Sequence, residues 1–141
     1  MKSLCVTLCV MSKKTPEIKM VSFGIYTPFK PDAEALPDVL EFTTVVPAKV
    51  GVEFGYILRI RKARGEQLQF RIDHPPFRDE SGQVAPPFEG SQYVRSNDYH
   101  FFLGDTLWEP VEDKVGTWTL RTWMGGELIG EKAFEVGAEA T

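Results

Sequence analysis

The sequence predicts an all-β domain, a two-sheet antiparallel sandwich of the immunoglobulin/fibronectin-like type with about seven strands. Apolar and polar residues alternate with period two along most of the chain, and Gly, Pro, Asn and Asp separate these runs. A Gly-Gly pair joins two such runs near the C-terminus, as expected of a hairpin. No segment of useful length has helical periodicity. A small β-barrel is the alternative, because periodicity does not distinguish a barrel from a sandwich.

The clearest single strand is the run 51–62. Its even-numbered residues from Val52 to Ile60 are apolar and most of its odd-numbered residues are polar or charged, which is typical of a half-buried strand. The run 67–73 repeats the pattern, and we expect the two runs to pair as a hairpin across the turn 63–66. The predicted strands are 19–26, 40–46, 51–62, 67–73, 92–95, 98–103, 117–124 and 127–136.

The last two runs predict a β-hairpin whose turn is Gly125-Gly126. On its first arm, Trp118 and Leu120 occupy the same face, and we expect them to point into the core. On its second arm, Lys132 shares the inward face with apolar residues. A bulge near Gly130 would correct this register.

The chain divides into an N-terminal leader or edge segment (1–18), a β-sandwich domain (19–137) and a tail (138–141). Residues 1–11 contain one lysine followed by a short apolar run, but no small-x-small cleavage pattern follows. The run is too short to span a bilayer. We therefore predict a cytoplasmic protein, with export as the alternative if this segment acts as a signal.

Composition and charge exclude some partner classes. With 141 residues the chain has the length of one ordinary domain. Its 16 Lys and Arg against 20 Asp and Glu give a formal net charge of −4, which argues against binding to nucleic acid or to an anionic membrane. We expect a soluble domain whose partner is another protein, or a second copy that associates through a sheet edge.

Short motifs resemble a small bacterial family of domains of unknown function. They are Phe23-Gly24-Ile25-Tyr26, the run TVVPAKVGVEFG at 44–55, Leu107-Trp108-Glu109-Pro110 and Gly116-Thr117-Trp118-Thr119-Leu120. The similarity extends over 23–136, with one departure, because Val115 stands where the pattern has proline. The resemblance implies a bacterial source and a sandwich-type fold, and it brings no catalytic residues.

The sequence contains no recognisable catalytic, metal or cofactor motif. The two histidines, His74 and His100, do not stand in a pattern typical of a nucleophile and its base. Cys5 and Cys9 have the spacing of neither a zinc site nor a redox pair. We predict no metal and no cofactor, and favour a protein that is not an enzyme. Acidic clusters at 79–80, 109 and 112–113 leave a carboxylate-lined cleft open as an alternative.

The segment 74–90 is the most plausible binding element, because it is long for a loop in a compact domain. It contains Pro-Pro-Phe twice, and Pro-Pro pairs favour a stiff polyproline II backbone that loses little entropy on docking. In one interpretation both phenylalanines are exposed recognition residues; in the other they pack onto the sandwich as plugs. The predicted binding residues are Pro75, Pro76, Phe77, Pro86, Pro87 and Phe88.

The functional prediction is therefore a non-catalytic protein-interaction or accessory module, acting through this loop or a sheet edge. The alternative is a ligand-binding or hydrolytic domain that uses a carboxylate-lined cleft. A concave pocket with convergent acids and a perturbed carboxylate would favour the alternative, and flat surfaces with an uncovered strand edge would favour the first.

Overall fold

The computed structural model describes residues 15–28 and 35–137, and within them nine strands form two sheets. Sheet 1 has the order β2-β1-β4-β7 and sheet 2 the order β3-β9-β8-β5-β6, and neither sheet closes on itself in the described part of the chain. The two-sheet sandwich is confirmed, and the barrel alternative is wrong. The strands are β1 (Glu17–Tyr26), β2 (Val39–Glu41), β3 (Val45–Pro47), β4 (Glu53–Arg61), β5 (Gln67–Asp73), β6 (Phe88–Tyr93), β7 (Asp98–Thr106), β8 (Gly116–Met124) and β9 (Glu127–Gly137).

The predicted hairpin between the runs 51–62 and 67–73 is wrong. Strand β4 pairs with β1 and β7 in sheet 1, whereas β5 pairs with β6 and β8 in sheet 2. Between them Lys62 has φ 62°, in the left-handed region, and its backbone amide donates to the Asn97 carbonyl at 2.9 Å. The connection therefore carries the chain across the sandwich. The alternation of apolar and polar residues identifies the buried face of a strand, but it does not identify the strand with which that strand pairs.

The predicted strand 40–46 is two short strands in different sheets. Strand β2 pairs antiparallel with β1, and β3 pairs in parallel with β9. Between them the Thr43 hydroxyl accepts a hydrogen bond from the Val45 amide at 3.0 Å. The side chain therefore satisfies a backbone N–H at the point where the chain passes from one sheet to the other.

Inward faces of both sheets form one core. The predicted face of β4 is buried from Phe54 to Ile60, but residues on the other face are buried too, so the strand is more than half-buried. The buried residues of that other face are Glu53, Gly55 and Ile57. Phe54 packs edge-on against Trp118, with ring centroids 5.4 Å apart, and also against Phe134 at 5.3 Å. Because these three rings come from opposite sheets, they join the two layers at the centre.

The C-terminal hairpin is confirmed, with Gly125 and Gly126 at φ 59° and 83° in the turn. The register shifts where Thr122 pairs with Gly130 and Trp123 pairs with Leu128, which leaves an extra residue in β9 beside Gly130. The predicted bulge is therefore present, but it precedes Lys132, which still shares the inward face with Phe134 and Val136, whereas Leu128 is 46% exposed. The Lys132 ammonium sits 4.0 Å from the Phe23 ring centroid, an interaction that explains a lysine on an inward face.

Candidate functional site

A groove lies at one end of the sandwich, between the β5–β6 connection and the β7–β8 connection. Its volume is about 540 Å³, within the range of pockets that hold small ligands. Aromatic and other apolar side chains form its floor, and charged side chains stand around it. We call it the aromatic groove; its lining residues are Phe77, Arg78, Asp79, Glu80, Ala85, Phe88, Trp108, Glu109, Pro110 and Lys114.

Stacked aromatic rings build the floor of the aromatic groove. Phe77 is only 5% exposed, and its ring meets Trp108 edge-on at 5.4 Å between centroids. On its other side Phe77 stacks on the core residue Trp118 at 6.2 Å. Trp108 is 37% exposed, and Phe88 lies 6.3 Å from it. The groove surface is thus continuous with the core, and the packed rings hold it in one shape.

The β5–β6 connection is more ordered than its length predicts. The Ala85 amide donates to the Phe77 carbonyl at 2.8 Å, and Arg78 forms a β-bridge with Val84. At the tip, the Asp79 carboxylate accepts from the amide of Ser81 at 2.9 Å and from that of Gln83 at 3.1 Å. The side-chain hydrogen bond from Ser81 is the main reason that the pKa of Asp79 is lowered. The segment is therefore a small hairpin, and the Asp79 carboxylate at its tip accepts its hydrogen bonds from within the segment.

His74 fastens the two ends of this connection. Its Nδ1 lies 2.8 Å from the Pro75 carbonyl oxygen and its Nε2 lies 2.8 Å from the Pro86 carbonyl oxygen. A neutral imidazole donates to one of them, and an imidazolium donates to both. The ring also stacks on Phe77 at 4.3 Å and lies 4.7 Å from Phe88. Both phenylalanines of the segment 74–90 are therefore in contact with the same histidine.

Lys114 supports the aromatic groove from beneath. It is 1% exposed, and its ammonium donates to the Pro110 carbonyl at 2.8 Å and to the Asp113 carboxylate at 2.7 Å. The same ammonium lies 4.7 Å from the ring centroid of Phe77 and 4.6 Å from that of Trp108. A cation buried in this way is paired, hydrogen-bonded and covered by two aromatic rings, and it fixes the position of Trp108.

Two carboxylates that line the groove form no hydrogen bond or ion pair with the described residues. Glu80 and Glu109 are exposed and line the groove, and among the described residues neither side chain has a hydrogen bond or an ion pair. The Arg78 guanidinium, by contrast, donates to the Gly82 carbonyl at 2.7 Å. With Asp79, three carboxylates line the groove against the cations Arg78 and Lys114, so the net charge of the lining is negative.

Asp105 is a perturbed acid outside the groove. It lies on β7, and burial raises the pKa of its carboxyl to about 6, with a smaller contribution from the negative charge of Glu53. A hydrogen bond from the Thr106 amide at 2.8 Å acts in the opposite direction, as does His74. Asp105 is not a lining residue of the aromatic groove.

The raised pKa of Asp105 predicts a pH dependence of stability. Because the pKa is higher in the folded protein than the ordinary 3.8, ionisation costs stability as pH rises from about 4 to about 6. We expect Asp105→Asn, which can keep the bond to Thr106, to raise the free energy of unfolding at pH 7 by about 2–3 kcal/mol. Urea unfolding of both proteins at pH 4 and pH 7 measures this, and a difference between them that is the same at both pH values would contradict it.

The structure brings together some of the predicted binding residues. Phe77 and Phe88 lie 6.3 Å apart and both line the groove, but Phe77 is buried, so for this ring the interpretation as a plug on the sandwich holds and that of an exposed recognition residue does not. None of the four predicted prolines lines the groove. Pro75 instead packs on Gly116, where a Cβ would lie 2.8 Å from the proline Cγ, and Pro86 accepts from His74. Whether these residues bind a partner stays a prediction.

The sequence interpretation missed the second half of the groove. Trp108, Pro110 and Lys114 come from the β7–β8 connection, and the peptide bond before Pro110 is cis. The sequence signals for this half are the motif Leu107-Trp108-Glu109-Pro110, which indicates only a family resemblance, and the acid at 109, which belongs to the alternative of a carboxylate-lined cleft. A lysine in a connection is normally solvated, so nothing in the pattern predicted that Lys114 would be buried.

No group of three His, Cys, Asp or Glu side chains in the described ranges 15–28 and 35–137 is placed to hold a metal ion. Cys5 and Cys9 lie outside those ranges. Within them, no helix has the length and apolar character needed to cross a bilayer.

The fold defines an immunoglobulin-like β-sandwich. The structure is similar to the crystal structure of an immunoglobulin-like protein from Pseudomonas aeruginosa, with a TM-score of 0.69 and 25% sequence identity over 85% of this chain and 96% of that one. Residues 14–136 match the family model DUF3859, described as a domain of unknown function, and the chain belongs to that family. The resemblance to a family of unknown function is thus confirmed, and the Pseudomonas structure supports the bacterial origin.

Two further structures are similar to this chain at a lower level. An alkylpurine DNA glycosylase from Pseudomonas fluorescens has 16% identity and a TM-score of 0.45 over 86% of this chain and 31% of that one. A β-glucosidase from Listeria innocua has 10% identity and a TM-score of 0.42 over 90% of this chain and 17% of that one. Likeness at this level supports no functional argument. No curated protein matches the chain.

Proposed function

We propose that this domain is a non-catalytic interaction or accessory module that binds its partner in the aromatic groove. The observation that carries the proposal is Trp108, a large aromatic side chain that is 37% exposed and lines the aromatic groove of about 540 Å³. Exposed aromatics in preformed concave sites are the usual anchors of binding. The buried ammonium of Lys114, 4.6 Å from the Trp108 ring centroid, holds this anchor in place before any partner arrives.

The hydrolytic alternative has one supporting observation and one against it. Glu80 and Glu109 line the same groove, as a carboxylate pair would in a hydrolase. The carboxyl with the raised pKa, Asp105, is not among the lining residues. Acid–base catalysis in this groove would therefore have to proceed without the perturbed acid, which is why binding is the better supported function.

A pair of tryptophan variants tests the proposed site. We expect Trp108→Ala to abolish capture of the partner by the immobilised domain from a lysate of the source bacterium, because the variant removes the exposed anchor. Trp123→Ala is the matched control, since Trp123 lies on β8 and does not line the groove. Capture of the same proteins by both variants, each with the melting temperature of a folded domain, would show that binding does not use the groove.

A further inference from the structure

The charges around the aromatic groove define which ligand it accepts. Three carboxylates line it against one guanidinium and one ammonium. Asp79 is satisfied by Ser81 and Gln83, Arg78 is bonded to the Gly82 carbonyl, and Lys114 is paired with Asp113. Hydrogen bonds to neutral groups leave Asp79 and Arg78 charged, and Glu80 and Glu109 are exposed carboxylates without an ion pair among the described residues, so negative charge exceeds positive charge in the lining. A cationic ligand would reduce this excess of negative charge, whereas an anionic ligand would add to it and would find only the exposed Arg78 guanidinium as a cation without an ion pair among the lining residues.

The aromatic side chains of the groove indicate which positively charged group the ligand would carry. The Lys114 ammonium, 4.6 Å from the Trp108 ring centroid and 4.7 Å from that of Phe77, shows that rings at this end already interact with a positive charge. Trp108 also keeps 37% of its surface exposed. A guanidinium combines both requirements, because it is planar, stacks on aromatic faces and donates two parallel hydrogen bonds to a carboxylate.

The volume of the groove favours a peptide segment over a single side chain. Its volume of about 540 Å³ exceeds the space that one guanidinium needs, and Phe88 and Pro110 provide apolar surface beside the acids. Extended peptides dock into aromatic-lined grooves of this kind with little loss of conformational entropy.

We propose that the aromatic groove binds an extended, arginine-containing peptide segment of another protein, with Trp108 stacking on the guanidinium and with Glu80 and Glu109 pairing with it. The inference rests on the proposed function, since it names the ligand class of the same groove. It adds a requirement that the proposed function does not make, namely that binding depends on positive charge.

Synthetic peptides test this requirement by isothermal titration calorimetry. The probe is (Arg-Pro-Pro)3, whose prolines keep the chain extended, and the matched neutral peptide is (Gln-Pro-Pro)3. We expect the arginine peptide to bind at least about tenfold more tightly than the glutamine peptide, and the difference to shrink when salt is raised from about 50 mM to about 500 mM. The double variant Glu80→Gln, Glu109→Gln should lose about tenfold in affinity for the arginine peptide. Glu112→Gln, an exposed acid of the same connection that does not line the groove, should change it by less than about twofold.

The outcomes separate this inference from the proposed function. Equal affinity for the arginine and glutamine peptides, lost in Trp108→Ala, would overturn the charge requirement and leave the groove as a binding site. Binding of a neutral oligosaccharide such as cellohexaose, lost in Trp108→Ala and without peptide binding, would likewise replace the proposed ligand class. Arginine-peptide binding that persists in both the double variant and Trp108→Ala would place the peptide elsewhere and overturn the inference.

Discussion

Replacing Trp118 with alanine is expected to lower the free energy of unfolding by about 3–5 kcal/mol, the largest effect of any substitution considered for this protein. Trp118 is fully buried, packs edge-on against Phe54 at 5.4 Å, and donates its indole N–H to the Lys114 carbonyl at 2.8 Å. The variant therefore loses packing between the sheets and leaves a buried carbonyl without its donor. Since a domain is typically stable by about 5–15 kcal/mol, urea or thermal unfolding should detect the loss at once, and poor expression is the corresponding result in cells.

Trp123→Ala is the control for the same experiment. Trp123 lies on the same strand but pairs with Gln69 and Leu128, and it is only half-buried. We expect its loss to cost about 1 kcal/mol, closer to a surface substitution than to a core one. If both variants were destabilised equally, Trp118 would not lie on the inward face of β8.

The faces of the strands could be predicted because they depend on local pattern alone. Side chains alternate along a strand, so Phe54, Leu58 and Trp118 identify their own buried face without reference to any other strand. The bulge beside Gly130 is where the pattern predicts it, but it does not remove the conflict of Lys132 with the apolar residues on its face, which the Phe23 ring accommodates instead. Such a conflict is visible within a single strand.

The pairing of strands could not be predicted in the same way, because it depends on where the chain travels between them. The sequence pattern predicts a hairpin turn after β4, yet the connection crosses to the other sheet at Lys62. The switch from β2 to β3 likewise depends on a hydrogen bond to the Thr43 side chain. Neither event changes the alternation of apolar and polar residues on which the prediction was based.

The candidate site was predictable only in part because it is assembled from two distant connections. Composition singled out the segment with two Pro-Pro-Phe repeats, and Phe77 and Phe88 do line the groove. The facing wall carries Trp108 and Lys114, which approach these rings only once the strands between them have folded. The burial of Lys114 is a tertiary property, and its sequence neighbours Glu112 and Asp113 favour a solvated interpretation.

Phe77→Ala is expected to destabilise the protein by about 3–4 kcal/mol, although Phe77 belongs to the segment predicted from the sequence as a binding loop. The ring is 5% exposed, stacks on His74 at 4.3 Å and on Trp118 at 6.2 Å, and lies 4.7 Å from the buried Lys114 ammonium. Its removal opens a cavity and takes away part of the aromatic cover of a buried cation, so two costs add. Urea unfolding at constant pH gives the loss directly.

Phe88→Ala is the comparison that separates a structural ring from a binding ring. Phe88 is half-buried, its centroid is 4.7 Å from His74, and one face contributes to the groove. Because less of its surface leaves water on folding, we expect a cost of about 1–2 kcal/mol, so the variant should stay folded. In the same folded protein, affinity for (Arg-Pro-Pro)3 should fall, since the apolar floor is smaller. A small loss of stability in Phe77→Ala, no larger than that in Phe88→Ala, would mean that the segment does not pack on the core. The aromatic groove, which rests on that packing, would then not exist in solution as a preformed site.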